Sequence, residues 1–361
     1  MTRSGLIDFL RGWAILGVIT IHVLLLVPKE GISEEMLYLA HWGDLLFRFA
    51  VPFFIAILGF MTYEKYRHTQ SWLSFYRKKL LYVAIPFLLW SWLYTGAPDI
   101  FTDYLDYVRQ DAAGILLGYA EIHLYFMIVY LGFIVLTPLV VGLFRILPSS
   151  SHPLLAWGLL LVHLVVLYQV EADIFAGRFD TFYIQTESHL PLHWFGYYAA
   201  GMLLSMTRSQ LLSWLQRHRA RIMLLGALLI PLYLVLIDSM VEMQVYLYIY
   251  HTPVLYISSG LALLLLSWLY AWVGQRWARW IEWLGRYSFA VYLSHVLWII
   301  GGWLLAGQME LSLPWAIGFT WIVALAGSVL YIPIHRWIGG YAAKFERKSA
   351  QSSKDIAQGT D

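Results

Sequence analysis

Apolar stretches of about 20 residues, the length that crosses the hydrocarbon core of a bilayer, recur along almost the whole of this 361-residue chain. They fall near 6–28, 45–63, 80–96, 121–144, 154–171, 191–206, 222–238, 253–274, 287–305 and 313–335. A backbone in lipid must satisfy its own N–H and C=O groups, so each such stretch is expected to be a helix. The intervening loops are too short for a soluble domain. The expected fold is therefore all-α: a polytopic protein with ten transmembrane helices in one membrane domain over 1–344, followed by a polar tail, 345–361, expected to be disordered and cytoplasmic. Composition agrees, since a soluble domain of this length could not hide a chain that is 60% hydrophobic and only 13% charged.

Ten spans put both termini on one side, and the charges say which. With the termini in the cytoplasm, Lys65, Arg67, Arg77, Lys78, Lys79, Arg145, Arg208, Arg217, Arg219, Arg221, Arg276 and Arg279 are all inside, together with the basic residues of the tail. Only Lys29, Arg109 and Arg178 are left outside, as the positive-inside rule requires. Trp90, Trp92 and Tyr94, and again Trp277, Trp280 and Trp283, gather at span ends, which suits anchoring at the membrane interface. The chain has no cysteine, which excludes disulfides, thiolate catalysis and thiolate metal sites. No cleavable signal peptide is expected, because the first apolar run lacks a small-residue cleavage site. No internal repeat is visible.

Arg11 and His22 stand inside that first run, LIDFLRGWAILGVITIHVLLLV. An eleven-residue offset is about three helical turns, so the two side chains share a face and lie ~16 Å apart along the axis. Ionisable groups at membrane depth are costly unless they face a protein interior or a wet cavity, which makes both candidates for function. The plainer readings are a hydrogen-bonded core histidine and an arginine that pairs with Asp8 or reaches back to the interface.

The run Asp8 to His22, D-F-L-R-G-W-A-I-L-G-V-I-T-I-H, resembles the opening of the acyltransferase-3 family of bacterial membrane acyltransferases, whose hallmark is arginine, ten residues, histidine. Four further landmarks follow in the family's order: Leu58-Gly59-Phe60; Arg77-Lys78-Lys79 followed by Pro86; His123-Leu124-Tyr125-Phe126; and Gly285-Arg286-Tyr287-Ser288-Phe289 with Tyr292-Leu293-Ser294-His295. Departures are Leu58 where the family often has serine, Tyr125 where it often has tryptophan, and Tyr82 where it often has a second arginine. The resemblance implies an O-acetyltransferase-like enzyme in the bacterial inner membrane. It would move an acyl group, usually acetyl, from acyl-coenzyme A to a hydroxyl of an envelope polysaccharide or its lipid-linked precursor. Acetyl-coenzyme A is then a co-substrate, with no tightly bound cofactor, no metal and no nucleic-acid partner expected.

Such a reaction needs a base for the acceptor hydroxyl, and neutral imidazole is the usual group near neutral pH. His22 is therefore expected to be the general base, with an acyl-histidine intermediate as the other option. Arg11 is expected to hold the thioester or a phosphate of the donor through its planar fork of N–H groups. Arg77, Lys78 and Lys79 would attract the coenzyme A phosphates, although any inner loop carries such charges. His123, Tyr125, Ser288, Tyr292 and His295 are candidates to line the cavity, with interhelical hydrogen bonding as the structural alternative for His295. His189 and His193 would share a face if a helix begins early enough, yet they have no third ligand beside them. The acidic, aromatic stretch from Asp99 to Asp111 suits sugar binding. A polysaccharide transporter also uses buried His and Arg, and a structural membrane partner in a polymer-assembly complex is a third reading. Neither accounts for five landmarks in order.

Overall fold

A computed structural model describes residues 3–27, 34–69, 71–95, 121, 123–176, 190–242 and 253–358. Among these the structure is helical, with no strand. The helices are α1 (Arg3–Leu25), α2 (Glu34–Phe47), α3 (Ala50–Glu64), α4 (Trp72–Lys79), α5 (Ile85–Thr95), α6 (Tyr125–Ile146), α7 (His152–Phe175), α8 (Phe195–Glu242), α9 (Pro253–Trp272), α10 (Gln275–Arg286), α11 (Ser288–Gln308) and α12 (Leu313–Gln358).

Six stretches among the described residues are long and apolar enough to cross a membrane: Gly5–Leu25, Trp42–His68, Tyr125–Ile146, Ser149–Gln169, Ser288–Gln308 and Leu313–Trp337. Ala220–Val235 and Ser258–Tyr270 are shorter apolar helical stretches. The expected spans at 191–206 and 222–238 are both carried by α8, whose helix is interrupted at His218 by a non-helical backbone (φ −114°, ψ 18°). The expected tail boundary at 344 does not coincide with a helix end, because α12 runs across it as far as Gln358. No proline or glycine stands between Tyr341 and Gln358 to stop it.

α1 lies at the centre and touches α2, α3, α9, α10, α11 and α12. It is largely apolar because it has neighbours on most sides, with Asp8, Arg11 and His22 among the polar exceptions. Ala14, Ile15, Ile19 and Val23 are fully buried in it. Two crossings are close enough to exclude a side chain. A Cβ on Gly12 would strike the carbonyl of Ile281 and one on Gly285 that of Asp8, which fixes α10 against the first turns of α1. In the same way Gly59 meets the carbonyl of Tyr198, so α3 and α8 pack backbone to backbone.

The basic triplet Arg77-Lys78-Lys79 forms the last turn of α4 and is not a loop. A single π turn, Leu80–Ala84, joins α4 to α5, with the Ile85 N–H donating to the Leu80 carbonyl. Pro86 follows at once; it has no N–H to give the preceding turn, and the wider turn absorbs the mismatch. Trp90 and Tyr94, expected at an interface, face inward instead. The Trp90 Nε1–H donates to the Tyr331 hydroxyl at 3.0 Å, and the Tyr94 hydroxyl donates to the Leu293 carbonyl at 2.9 Å. Trp92, Trp277 and Trp280 are exposed.

Candidate active site

Three histidines from distant parts of the chain meet in the core. His22 lies near the end of α1, His123 just before α6 and His295 in the middle of α11, all buried. Their ring centroids stand 4.9 Å (His22 to His295), 4.9 Å (His123 to His295) and 5.9 Å (His22 to His123) apart, all edge-on. Tyr94 and Tyr292 each stack edge-on to His123 at 5.2 Å. The Tyr292 hydroxyl donates to the His123 carbonyl and so ties α11 to the start of α6. Among the described residues, no three His, Asp or Glu side chains are arranged to hold one metal ion.

The hydrogen bonds decide which nitrogens carry protons when the rings are neutral. His295 Nδ1 lies 2.7 Å from the Tyr292 carbonyl oxygen, which can only accept, so this nitrogen donates and His295 Nε2 is an acceptor. His22 Nδ1 lies 2.9 Å from the Val18 carbonyl oxygen and 3.2 Å from His295 Nε2. Both of those are acceptors, so His22 Nδ1 carries the hydrogen and shares it between them. The remaining nitrogen of His22, Nε2, therefore holds the basic lone pair. His123 has no hydrogen-bond partner on either ring nitrogen among the described residues.

His22 lines a cavity of ≈ 220 Å³ with Arg48, His123, Tyr125, Phe126 and Tyr292. Phe54, Phe126 and Tyr292 also wall a second cavity, ≈ 250 Å³, which holds Arg11, Arg286 and Ser288. This one shares Tyr66 and Val83 with a third, ≈ 540 Å³, lined by Lys65, His68, Lys78 and Lys79. The three follow one another from the basic end of the bundle to the histidine cluster. Arg11 is brought to the second by the glycine contact of α1 with α10 and pairs loosely with Asp8, at 3.7 Å. Lys79 is turned inward, its ammonium donating to the Tyr66 hydroxyl at 3.0 Å and the Tyr130 hydroxyl at 3.3 Å, while Lys78 is exposed at the third cavity. Arg145 closes the rim of this region by donating to the carbonyls of Arg67 and Thr69 at 2.9 and 2.5 Å.

Residues 5–332 match the acyltransferase-3 family, described as an acyltransferase domain. The chain belongs to that family. No curated protein and no solved structure matches it. An acyltransferase-3 protein with several apolar membrane-length helices is a membrane acyltransferase.

Most of the family landmarks converge on this line of cavities. Arg11, Ser288 and Tyr292 border the second; His22, His123, Tyr125 and Tyr292 border the first. His295 lies behind His22, fully buried, and meets it through a hydrogen bond. Arg77 is exposed and lies outside the basic cavity that Lys78 and Lys79 line. His193 sits in a 3₁₀ turn, Pro191–Trp194, ahead of α8, whereas His189 and the stretch Asp99 to Asp111 lie outside the described residues. Sequence reasoning missed Arg48, whose Nε and Nη2 both reach Asp44 Oδ2, at 3.0 and 2.5 Å. The signal was there: an arginine inside an apolar run, with an aspartate one helical turn earlier.

Proposed function

We propose that this acyltransferase-3 protein transfers an acetyl group from acetyl-coenzyme A to a hydroxyl of a cell-envelope carbohydrate, with His22 as general base. The observation that carries the reading is the commitment of His22 Nδ1 as a donor, which leaves Nε2 as the base on the wall of a cavity in line with a basic one. The donor's phosphates take the Lys78 and Lys79 end, where the lining contains no acidic residue. Its thioester arm then extends through the cavity of Arg11 and Arg286 toward His22. With ~16 Å of helix between Arg11 and His22, Arg11 holds the arm or a phosphate and leaves the thioester carbonyl to the histidine end.

In the transfer step the acceptor O–H gives its proton to His22 Nε2 as the oxygen attacks the thioester carbon. Collapse of the tetrahedral species breaks the C–S bond, and the leaving sulfur takes the proton back from His22, giving the ester and free coenzyme A. His295 is the positioning residue: its Nε2 lone pair accepts from His22 Nδ1–H, holds the ring in the base-competent tautomer and stabilises the imidazolium that forms. The same reading places the protein across the bacterial inner membrane with ten spans and both termini in the cytoplasm. The donor then arrives from inside, and the acceptor arrives from the periplasmic side or within the membrane.

The test is coenzyme A release. Purified protein given acetyl-coenzyme A and envelope glycans should liberate thiol and label the glycan, and His22→Ala should abolish both. Thiol release that does not depend on His22, or none at all as a transporter would give, refutes the proposal.

A further inference from the structure

Lys79 is a half-buried cation that no carboxylate meets among the described residues. Its ammonium stands 5.2, 5.6 and 5.8 Å from the ring centroids of Tyr66, Tyr130 and Phe75, and it donates to both tyrosine hydroxyls. An ammonium has three hydrogens, and a phenol that accepts one of them still has its own to give. One N–H of Lys79 and the O–H of each tyrosine therefore have no acceptor among the described residues. Architecture does not demand this arrangement. Tyr76 already ties α4 to α6 by donating its hydroxyl to the Val135 carbonyl at 3.0 Å, and Arg145 ties α6 to the 3₁₀ turn of Tyr66 through the Arg67 carbonyl at 2.9 Å. Three donors around one positive charge, partly withdrawn from water, form a costly group unless an anion meets them.

Their place is as informative as their chemistry. Tyr66 walls both the second and the third cavity, Tyr130 the second and Lys79 the third, so the ammonium and its two phenols stand where those cavities adjoin. An acyl-coenzyme A is built in the same order: a nucleotide with a terminal phosphate, then a diphosphate, then an uncharged arm that ends in the thioester. From this match we infer that Lys79, Tyr66 and Tyr130 form a binding site for the donor's diphosphate. The inference rests on the acyl-transfer reading of the protein. The nucleotide then occupies the ≈ 540 Å³ cavity, with its terminal phosphate toward the exposed Lys78, and the uncharged arm enters the cavity of Arg11. The phenols and the ammonium donate to the diphosphate oxygens as charge-assisted hydrogen bonds, which a thioester of the bare arm cannot receive. Tyr66 and Tyr130 belong to none of the sequence landmarks; the turn after α3 and the body of α6 bring them to Lys79.

The experiment uses the full chain in nanodiscs, an envelope-glycan acceptor and acetyl donors that differ in phosphate: acetyl-coenzyme A, acetyl-dephospho-coenzyme A, which keeps the diphosphate, and acetylpantetheine, which has no phosphate. Phenylalanine keeps each ring against Lys79 and removes only the hydroxyl. Tyr66→Phe and Tyr130→Phe should therefore each raise the KM for both coenzyme A donors about three- to tenfold, and the double variant about tenfold or more. The KM for acetylpantetheine, the KM for the glycan and kcat should each move less than about twofold. An equal penalty on acetylpantetheine, or none on any donor, overturns the assignment by leaving these residues a structural role. A penalty lost on acetyl-dephospho-coenzyme A overturns it by placing the terminal phosphate here, and a rise confined to the KM for the glycan overturns it by placing a lipid-linked acceptor's diphosphate here. Wild type supplies a measurement that needs no variant to fold: inorganic diphosphate should compete with acetyl-coenzyme A more strongly than inorganic phosphate at matched ionic strength, and equal inhibition by the two overturns the site. Absence of any His22-dependent thiol release from wild type overturns the transfer reading and this inference together.

Discussion

Replacing His295 by leucine tests the division of labour between the two hydrogen-bonded histidines. The substitution removes the Nε2 lone pair 3.2 Å from His22 Nδ1 but leaves the Val18 carbonyl at 2.9 Å, so the buried N–H keeps an acceptor and the fold loses little. The effect on rate is larger. A hydrogen bond from neutral imidazole contributes about 1 kcal/mol and one from a charged donor about 1.5–3 kcal/mol. The lone pair of His295 therefore favours the protonated state of His22, formed as the acceptor loses its proton, by roughly 1–2 kcal/mol over the resting state. Each 1.36 kcal/mol is tenfold in rate, so kcat should fall about 5- to 30-fold with little change in the KM for acetyl-coenzyme A. His22→Ala should cost more, on the order of 10²–10⁴-fold, as loss of a general base does. His295→Gln, whose amide oxygen can accept, should recover part of the rate. The assay is release of free thiol, to which the protein adds no background because the chain has no cysteine. Wild-type kcat in His295→Leu would refute the positioning role. A loss equal to that of His22→Ala would refute it too, by making His295 the base.

Arg11→Lys keeps the charge but not the planar fork at the second cavity, and should raise the KM for acetyl-coenzyme A about tenfold while the protein accumulates normally in membranes. Lys78→Gln should raise the same KM severalfold at low salt, with the difference shrinking as ionic strength screens the phosphates; a salt-independent change would show that this charge does not meet the donor. Gly285→Ala puts a methyl group against the Asp8 carbonyl and should destabilise the protein by roughly 1–3 kcal/mol, read as a lower unfolding midpoint in a thermal melt followed by tryptophan fluorescence.

The helical class and the positions of the long apolar helices were legible because each depends on local composition alone: twenty apolar residues in lipid have one way to satisfy their backbone. Helix ends were less so. Nothing in the residues around Arg77 shows that the basic triplet finishes a helix which continues through a π turn into the next span, because that turn answers to Pro86, nine residues further on. The shared face of Arg11 and His22 followed from helical period, yet the two line different, adjoining cavities. Where one cavity ends and the next begins depends on Phe54 from α3, Phe126 from α6 and Tyr292 from α11, and no local pattern reports that meeting.

His295 shows the same limit from the other side. As a histidine on an apolar helix with Tyr292 and Ser288 at helical spacing, it reads first as interhelical glue and second as cavity lining, and in the structure it hydrogen-bonds across helices to His22. Its contact with His22 spans 273 residues of sequence, so its role cannot be read from its neighbours in the chain. What that contact does is fixed by two backbone carbonyls, Tyr292 behind one ring and Val18 beside the other, each of which can only accept. The carbonyls set the tautomer of both rings, and the tautomer leaves the basic lone pair of His22 on Nε2, the nitrogen that does not meet His295. A substitution that rotates either carbonyl, such as proline at Val296 or His22, would thus disturb the proposed basicity of the site without removing either histidine in the first case, whereas in the second it removes the proposed base itself; only the first separates orientation from chemistry.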